Sequence, residues 1–365
     1  MQLGIMLKVQ DPPAGGHFQR VCAEAIEAAV AADRAGLDAC FVQEHHFSPD
    51  DYLPAPLVLC AAIAARTERI RVGTLIMQLP LYHPLRVAED GAVIDNLSGG
   101  RLILACGLGL VPREFAPFEI DVKRAVSRYE EGLEIIRRAW TEERFSFAGK
   151  RFAFEDVSVR PRPVQQPHPP LWIGTSAPPS LERAGRLGYP AVIPAMFNLE
   201  AAKRQVALYR GAARAHGHEP RVILQRNGWV ARRREDTAEV WGPFIQDHYW
   251  RYRTQLQRLS EYPWEPALAE APDRDAFTYE RLKPDRLFTG TPDDLVADAQ
   301  RWHRELGGFD HLVLRLRTPY GPDQAATLEA IELLGREVAP ALSPPHPQPG
   351  DARSIPRRPH QGGGE

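Results

Sequence analysis

Runs of mostly apolar residues alternate along this chain with longer segments whose apolar residues recur at helical spacing. The apolar runs suit strands that are buried on both faces, as in parallel sheets. Successive strand–helix units with right-handed crossovers close most naturally into a barrel when there are eight of them. We therefore predict an α/β fold, a (β/α)8 TIM barrel. Its predicted strands are Gln2–Lys8, Asp38–Gln43, Ile70–Met77, Arg101–Cys106, Leu171–Ile173, Ala191–Ile193, Val222–Val230 and His311–Leu316.

Three segments interrupt the alternation of strands and helices. Residues 145–160 alternate apolar and polar positions around Ala-Gly-Lys, which predicts a hairpin inserted before the fifth strand. Residues 231–288 follow the seventh strand and are rich in aromatic side chains, which favours an active-site cover over a disordered loop. We predict a single domain over residues 1–340 and a disordered, Pro/Gly-rich tail over residues 341–365.

The second predicted strand ends in a carboxylate and two imidazoles, Glu44, His45 and His46. Ligands of parallel α/β folds bind at the carboxyl ends of the strands, so we predict catalytic roles for His45 and Glu44. Successive side chains of an extended chain point in opposite directions, which places Glu44 and His46 on one side and His45 on the other. His45 is then an acid/base residue or a histidine satisfied by packing. No H-x-H or H-E-x-x-H pattern occurs elsewhere, so we expect no metal.

Small residues follow two further strands. Gly73 and Thr74 lie near the end of the third strand, where a ligand could approach the backbone closely. Gly107 and Gly109 follow the fourth strand and mark a tight approach of the chain. The fuller dinucleotide-binding pattern does not follow them, so a nicotinamide fold is not indicated.

The fifth strand leads into a turn of small residues that opens a helix with proline in its first turn. Backbone amides and the hydroxyls of Ser176 and Ser180 would point outward from this turn and build an anion site. Ordinary capping of the helix by Thr175 or Ser176 requires the same residues, so both interpretations stay open.

Composition narrows the classes of partner. A formal net charge of -2 provides no basic surface for nucleic acid. The chain starts directly in a predicted strand and contains no apolar run of membrane-spanning length, so we expect a cytoplasmic protein without a membrane partner. The cysteines have no paired spacing and lie in apolar surroundings, which is typical of buried thiols in a reducing compartment. They are Cys22, Cys40, Cys60 and Cys106.

Six motifs, taken together and in order, resemble those of the bacterial luciferase-like flavin-dependent monooxygenase family over residues 1 to about 340. The resemblance implies a (β/α)8 barrel that binds reduced FMN at its carboxyl face and activates O2 as a flavin C4a-hydroperoxide. It also implies a separate flavin reductase, and we expect a homodimer. The motifs are Glu44-His-His-Phe47, Val72-Gly-Thr74, the segments 83–90 and 95–101, Glu114-Phe-x-x-Phe118 and Gly290-Thr-Pro292.

The same resemblance implies roles for individual residues. His45 matches the histidine that assists proton transfer near the flavin ring. Leu75 and Ile76 fall where the family often has a non-proline cis peptide beside that ring, and together with Met77 they would supply an apolar wall that keeps water out. The residues expected to contact the cofactor are Gly73, Thr74, Leu75, Ile76, Gly107, Gly109, Ser176, Ala177 and Ser180, the last three at its phosphate.

The chain departs from the family at Leu108, where luciferase has a basic residue against the phosphate. Arg128 or Tyr129 is the nearest candidate to replace it. The resulting prediction is a monooxygenase that oxidises a small organic substrate. Two alternatives stay open: a deazaflavin (F420)-dependent hydride-transfer oxidoreductase on the same barrel, and a non-catalytic flavin-binding partner subunit.

Overall fold

A computed structural model describes residues 1–11, 17–109, 111–175, 177–256, 273–317 and 321–342, with the backbone alone at 252–256. The strands are β1 Gln2–Leu7, β2 Ala39–Val42, β3 Arg71–Gln78, β4 Leu102–Gly107, β5 Phe145–Ala148, β6 Ala153–Val157, β7 Leu171–Gly174, β8 Ala191–Ile193, β9 Val222–Val230, β10 Leu287–Gly290 and β11 His311–Arg315. The longer helices are α1 Phe18–Ala35, α2 Pro56–Ala64, α3 Pro84–Ser98, α4 Ala125–Thr141, α5 Pro178–Arg186, α6 Leu199–Ala215, α7 Gly242–Leu256, α8 Tyr279–Arg286, α9 Pro292–Glu305 and α10 Gln324–Leu333.

Eight parallel strands close into a barrel. Its order is β9, β11, β1, β2, β3, β4, β7 and β8, and β8 pairs back onto β9. The eight predicted strands are thus confirmed, and the predicted limits of β8 and β9 coincide with the observed ones. The helices lie outside this ring because their apolar faces cover the outward side of the strands.

The predicted hairpin is confirmed, because β5 and β6 pair antiparallel before the fifth barrel strand. One strand was missed. The short run Leu287–Gly290 forms β10, which pairs with Asn227–Val230 at the carboxyl end of β9. That part of β9 extends beyond the residues that β8 covers, so its edge is free for a further strand. The insertion after β9 is correspondingly shorter than predicted.

The described aromatic side chains of this insertion belong largely to the core. Trp241 is fully buried, stacks on Trp229 at 6.5 Å between ring centroids, and donates its indole N–H to the Leu316 carbonyl at 2.7 Å. Tyr249 and Phe277 are buried too. Residues 257–272 of the predicted cover lie outside the described residues, as do residues 343–365 of the predicted tail.

Apolar side chains fill the barrel interior. The strands alternate inward and outward positions, so the next inward position on a strand lies two residues further toward the carboxyl end. On β1, β2, β9 and β11 these next positions are polar: Lys8, Gln43, Gln225 with Asn227, and Arg315. The carboxyl face of the barrel is therefore a polar chamber above an apolar floor. The floor comprises Met6, Ala39, Phe41, Leu75, Ile103, Ala105, Trp172, Val192, Ile223 and Val313.

Two expectations from composition can be compared with the structure. Cys40, Cys60 and Cys106 are buried free thiols, whereas Cys22 is only half-buried, so the prediction is wrong for that residue. None of the helices in the described ranges is long and apolar enough to cross a membrane.

Candidate active site

His45 and Glu114 form a hydrogen-bonded pair at the carboxyl face. His45 Nδ1 lies 3.0 Å from Glu114 Oε1, and Gln78 Nε2 donates to Glu114 Oε2 at 2.5 Å. Burial raises the pKa of Glu114, but the hydrogen bonds from His45 and Gln78 outweigh it and hold this pKa below its usual value. An ionised carboxylate only accepts hydrogen bonds, so Nδ1 carries a proton, and in the neutral form of the imidazole the lone pair is on Nε2. The His45 side chain is 36% exposed and can reach a ligand.

Glu44 is the centre of a second, buried cluster. Its carboxylate accepts hydrogen bonds from His46 Nε2 at 2.5 Å, from the Tyr82 hydroxyl at 2.8 Å and from the backbone amide of Gln78 at 2.8 Å. Burial and the Glu44 charge raise the pKa of Tyr82, which therefore remains a donor. The prediction that Glu44 and His46 share one side and His45 takes the other agrees with these contacts. With three donors satisfied, Glu44 holds neighbouring groups in position rather than presenting a free carboxylate.

Two buried acceptors at this face have no hydrogen-bond partner among the described residues. One is Gln78 Oε1, whose side chain already links the two clusters, and the other is Asn227 Oδ1. The Asn227 amide donates to the Tyr249 hydroxyl at 3.1 Å, which fixes the orientation of its oxygen. Buried acceptors without partners are costly, so a ligand that donates N–H or O–H groups would be stabilised here.

The peptide bond between Leu75 and Ile76 is cis, as the resemblance implies. The Ile76 side chain packs where Gly107 and Gly174 have no side chains: a Cβ added to either glycine would lie about 2 Å from an Ile76 carbon, at 2.0 and 2.2 Å respectively. Ile76 itself stays half-buried. The close approach predicted at Gly107 is thus made by Ile76, which presents an aliphatic surface to the chamber.

The small residues of β3 and the turn after β4 serve contacts within the protein. A Cβ at Gly73 would lie 2.0 Å from the Ile103 carbonyl oxygen of the neighbouring strand. The Thr74 hydroxyl accepts from the Ala105 amide and donates to its carbonyl. Gly109 has a positive φ of 83° and leaves room for Gln78 Oε1.

The predicted anion turn has fewer free amides than expected. Helix α5 begins at two prolines, which have no N–H, and its N-cap is Ala177, whose own amide donates to Thr175 Oγ1 at 3.2 Å. The Ser180 amide donates to the Ala177 carbonyl. The amides of Ala177 and Ser180 are therefore already used, so they do not contribute to the predicted anion site, and capping of α5 by the Thr175 side chain is not observed either. Ser176 lies outside the described residues.

A cation that the sequence analysis missed stands at this turn. Arg183 Nη1 lies 3.3 Å from the buried Ser180 hydroxyl, and Arg183 Nε lies 2.5 Å from Glu130 Oε1. Arg128, by contrast, donates to the carbonyls of Pro80 and Tyr82. Tyr129 is buried and donates to the Cys106 carbonyl at 3.1 Å. Arg183 is hence better placed beside the turn than either predicted candidate.

Several of the residues that build the chamber were not singled out from the sequence. Glu114 belongs to one of the family motifs, which was a usable signal. Asn227 and Arg315 continue the inward face of their strands, a signal available from strand periodicity alone. Gln78 directly follows the predicted third strand. Within the described ranges, no three His, Cys, Asp or Glu side chains are grouped so that they could hold a metal ion.

A parallel eight-stranded barrel with an imidazole–carboxylate pair at the carboxyl ends of its strands defines an enzyme of the α/β-barrel class. A family model described as luciferase-like monooxygenase matches residues 1–308. The match covers most of the sequence, and the chain belongs to this family of flavin-dependent enzymes. The predicted family, fold and enzymatic nature are confirmed.

The chain is 40% identical over 174 residues to the uncharacterized protein y4wF of Sinorhizobium fredii. The aligned residues make up 48% of this chain and 51% of that protein. It is 29% identical over 218 residues to the oxygenase component of the flavin-dependent trigonelline monooxygenase of Acinetobacter baylyi, covering 58% and 60%. The chain thus spans about half to three fifths of the length of these curated relatives.

The crystal structure of the monooxygenase RslO1 from Streptomyces bottropensis has a TM-score of 0.78 and 28% identity, covering 94% of this chain and 100% of that one. The fold is shared at lower identity with an F420-dependent secondary alcohol dehydrogenase, at a TM-score of 0.70 and 18% identity, covering 94% and 99%.

Proposed function

We propose that this protein is a reduced-FMN-dependent monooxygenase that oxidises a small organic substrate with O2. The observation that carries the proposal is the His45–Glu114 pair, in which a buried carboxylate holds a partly exposed imidazole at the carboxyl face of a barrel of this family. A positioned imidazole with one free nitrogen can give and take protons near neutral pH. The name of the Acinetobacter baylyi relative, a flavin-dependent oxygenase component, supports the same activity.

The residues of the chamber fit a flavin. Ile76 offers an aliphatic surface to an apolar ring system, and the unpartnered acceptors of Gln78 and Asn227 could accept hydrogen bonds from ring N–H groups. Ser180 and Arg183 offer a hydroxyl and a positive charge at the turn proposed for the phosphate. Bound reduced FMN would supply the electrons for the reaction with O2, which is chemistry that the side chains cannot provide.

The side chains would manage protons and exclude water. His45 Nε2 would accept a proton from the substrate or return one to a developing oxyanion, while ionised Glu114 stabilises the imidazolium through Nδ1. Glu44 would act as a positioning residue through Gln78, which also holds Glu114. Leu75 and Ile76 belong to or pack on the interior apolar cluster and would limit access of water to the reacting atoms. Met77, predicted as part of the same wall, instead packs in the outer core between strands and helices.

We further propose that a separate reductase supplies the reduced flavin, because the Acinetobacter baylyi relative is named as the oxygenase component of its system. The homodimer stays a prediction. The alternative cofactor is F420, which the fold likeness to an F420-dependent alcohol dehydrogenase keeps open. A non-catalytic flavin-binding subunit is the third alternative, and retention of both His45 and Glu114 argues against it.

An anaerobic titration distinguishes these cofactors. We expect reduced FMN to bind more tightly than oxidised FMN and much more tightly than reduced F420, with little affinity for NAD(P)H because no dinucleotide-binding pattern is present. Binding is followed by flavin fluorescence and by calorimetry. Tight binding of reduced F420 without FMN would replace the proposal by hydride transfer, and tight binding of NAD(P)H alone would reject both.

The Arg183→Met variant tests the proposed phosphate contact. We expect it to weaken FMN binding about tenfold or more while changing riboflavin binding less than about twofold, since a charge-assisted hydrogen bond contributes roughly 1.5 to 3 kcal/mol. Arg186→Met is the matched control, because Arg186 lies on the same helix near the same Glu130 but is more exposed. Equal loss for both flavins in Arg183→Met would instead indicate a purely structural role.

A further inference from the structure

The chamber carries two cations on adjacent strands, opposite the turn proposed for the phosphate. Lys8 directly follows β1, and Arg315 is the last residue of β11. The two strands are paired, and Met6 of β1 lies opposite Arg315 of β11. Lys8 and Arg315 each lie two residues after a residue of the apolar floor, Met6 and Val313 respectively, so their side chains are on the inward side of their strands. Around the ring of eight strands β1 lies four positions from β7, so Lys8 is diametrically opposite that turn.

Contacts link these cations to the catalytic histidine. Lys8 Nζ donates to the Tyr52 hydroxyl at 3.2 Å and lies 4.6 Å from the centroid of its ring. The Tyr52 ring meets the His45 ring edge to face at 4.7 Å between centroids. Burial raises the pKa of Tyr52, and the charges of Asp50 and Glu114 add to this effect while Arg315 opposes it, so the phenol stays neutral. A group bound at Lys8 would therefore lie one aromatic ring away from His45.

Neither cation forms an ion pair with a described carboxylate. Arg315 Nη1 lies 3.0 Å from His248 Nε2, and Arg315 Nε is buried without a hydrogen-bond partner in the described part of the chain. Burial, Arg315 and Lys8 lower the pKa of His248 well below its usual value, so this imidazole is neutral and supplies no negative charge. Burial and Arg315 likewise lower the pKa of Lys8, and Asp50 opposes this effect.

Asp50 is the carboxylate whose charge acts on Lys8, and its two oxygens accept hydrogen bonds from other side chains. The side chains of Gln10 and Ser48 each donate to one of them. Asp50 therefore lowers the cost of burying Lys8 without capping its ammonium group. Lys8 and Arg315 are both half-buried. Withdrawing a cation from water without a paired anion is costly, so two such cations on neighbouring strands form a site that a negatively charged group would stabilise.

We propose that Lys8 and Arg315 form an anion subsite that binds the carboxylate of the substrate and anchors it beside His45. This inference rests on the proposed oxygenase function and adds the substrate class, a small organic acid. The cofactor phosphate could supply the same chemistry, but the position of Ser180 and Arg183 across the ring favours the substrate as its source. A planar carboxylate suits the fork of an arginine and the point charge of a lysine.

Calorimetry with flavin-free full-length protein tests the subsite directly. The probes are two carboxylates, benzoate and propionate, and their neutral isosteres, benzamide and propionamide. We expect at least one acid to bind about tenfold or more tightly than its amide, and Lys8→Met and Arg315→Met each to remove about tenfold of that affinity. Arg317→Met is the control, because Arg317 pairs with Glu24 at 2.6 Å and should change acid binding less than about twofold.

Two further measurements separate the possible failures. Saturating FMN should leave acid binding intact, and displacement of the acid by FMN would assign the cations to the cofactor phosphate and overturn the proposal. Both Met variants should unfold at a temperature no lower than that of the wild type, because each removes a half-buried cation without an ion-pair partner. The subsite would be overturned, even if reduced FMN binds, by acids that bind no more tightly than their amides or whose affinity is the same in wild type and both Met variants. Acid binding without any flavin binding would keep the subsite and reject the oxygenase function.

Discussion

Replacement of His45 by alanine should lower the rate of substrate oxidation about a hundredfold or more, which is the usual contribution of a positioned acid/base group. The fold and most of the flavin affinity should remain, since the ring is partly exposed and its described hydrogen bond goes to Glu114. The measurements are turnover, the flavin dissociation constant and the peroxide released per flavin oxidised. His216→Ala is the control, because His216 is an exposed histidine at the end of α6. Normal turnover in His45→Ala would make the histidine structural.

The Glu114→Gln variant should separate positioning from folding. An amide of the same size keeps the packing but removes the charge that fixes the proton on Nδ1, so the kcat should fall about tenfold or more with little change in flavin affinity. A structural role alone would change stability and flavin binding together. Glu114→Asp should recover part of the rate, because it restores the charge at a slightly longer distance. Unchanged kcat in Glu114→Gln would show that the carboxylate does not act through His45.

The largest effect on stability is expected at Gly73. An added Cβ would lie 2.0 Å from the Ile103 carbonyl oxygen, which belongs to the paired backbone of β4 and cannot rotate away. Gly73→Ala should therefore lower the free energy of unfolding by about 3 kcal/mol, the upper range for overpacking a well-packed interior. Urea denaturation followed by circular dichroism measures this change.

A matched glycine predicts the opposite sign. Gly211 lies within α6, and a Cβ there would meet no heavy atom within 4 Å. Gly211→Ala should raise the free energy of unfolding by roughly 0.5 to 1 kcal/mol, because alanine loses less backbone entropy in a helix. If Gly73→Ala left the free energy of unfolding unchanged or raised it as Gly211→Ala should, the contact between β3 and β4 would be looser than the structure shows.

The sequence by itself determined the barrel. The barrel strands and the β5–β6 hairpin follow from the local spacing of apolar and polar residues, which depends only on neighbouring positions in the sequence. It also made His45 a candidate acid/base residue, because the polar end of a buried strand is visible in the sequence alone. It missed β10, whose pairing depends on how far β9 extends beyond β8.

Only the tertiary structure decided which distant residues meet at the carboxyl face. Glu114 is 69 positions from His45, and no local pattern pairs them. Arg183 lies three residues after Ser180 on the same helix, but only the fold brings Glu130, 53 positions away in the sequence, to it. Lys8 and Arg315 become neighbours because β1 and β11, at opposite ends of the sequence, pair when the barrel closes. Strand order and register set these contacts, and a single sequence encodes them only through the packing of the whole chain.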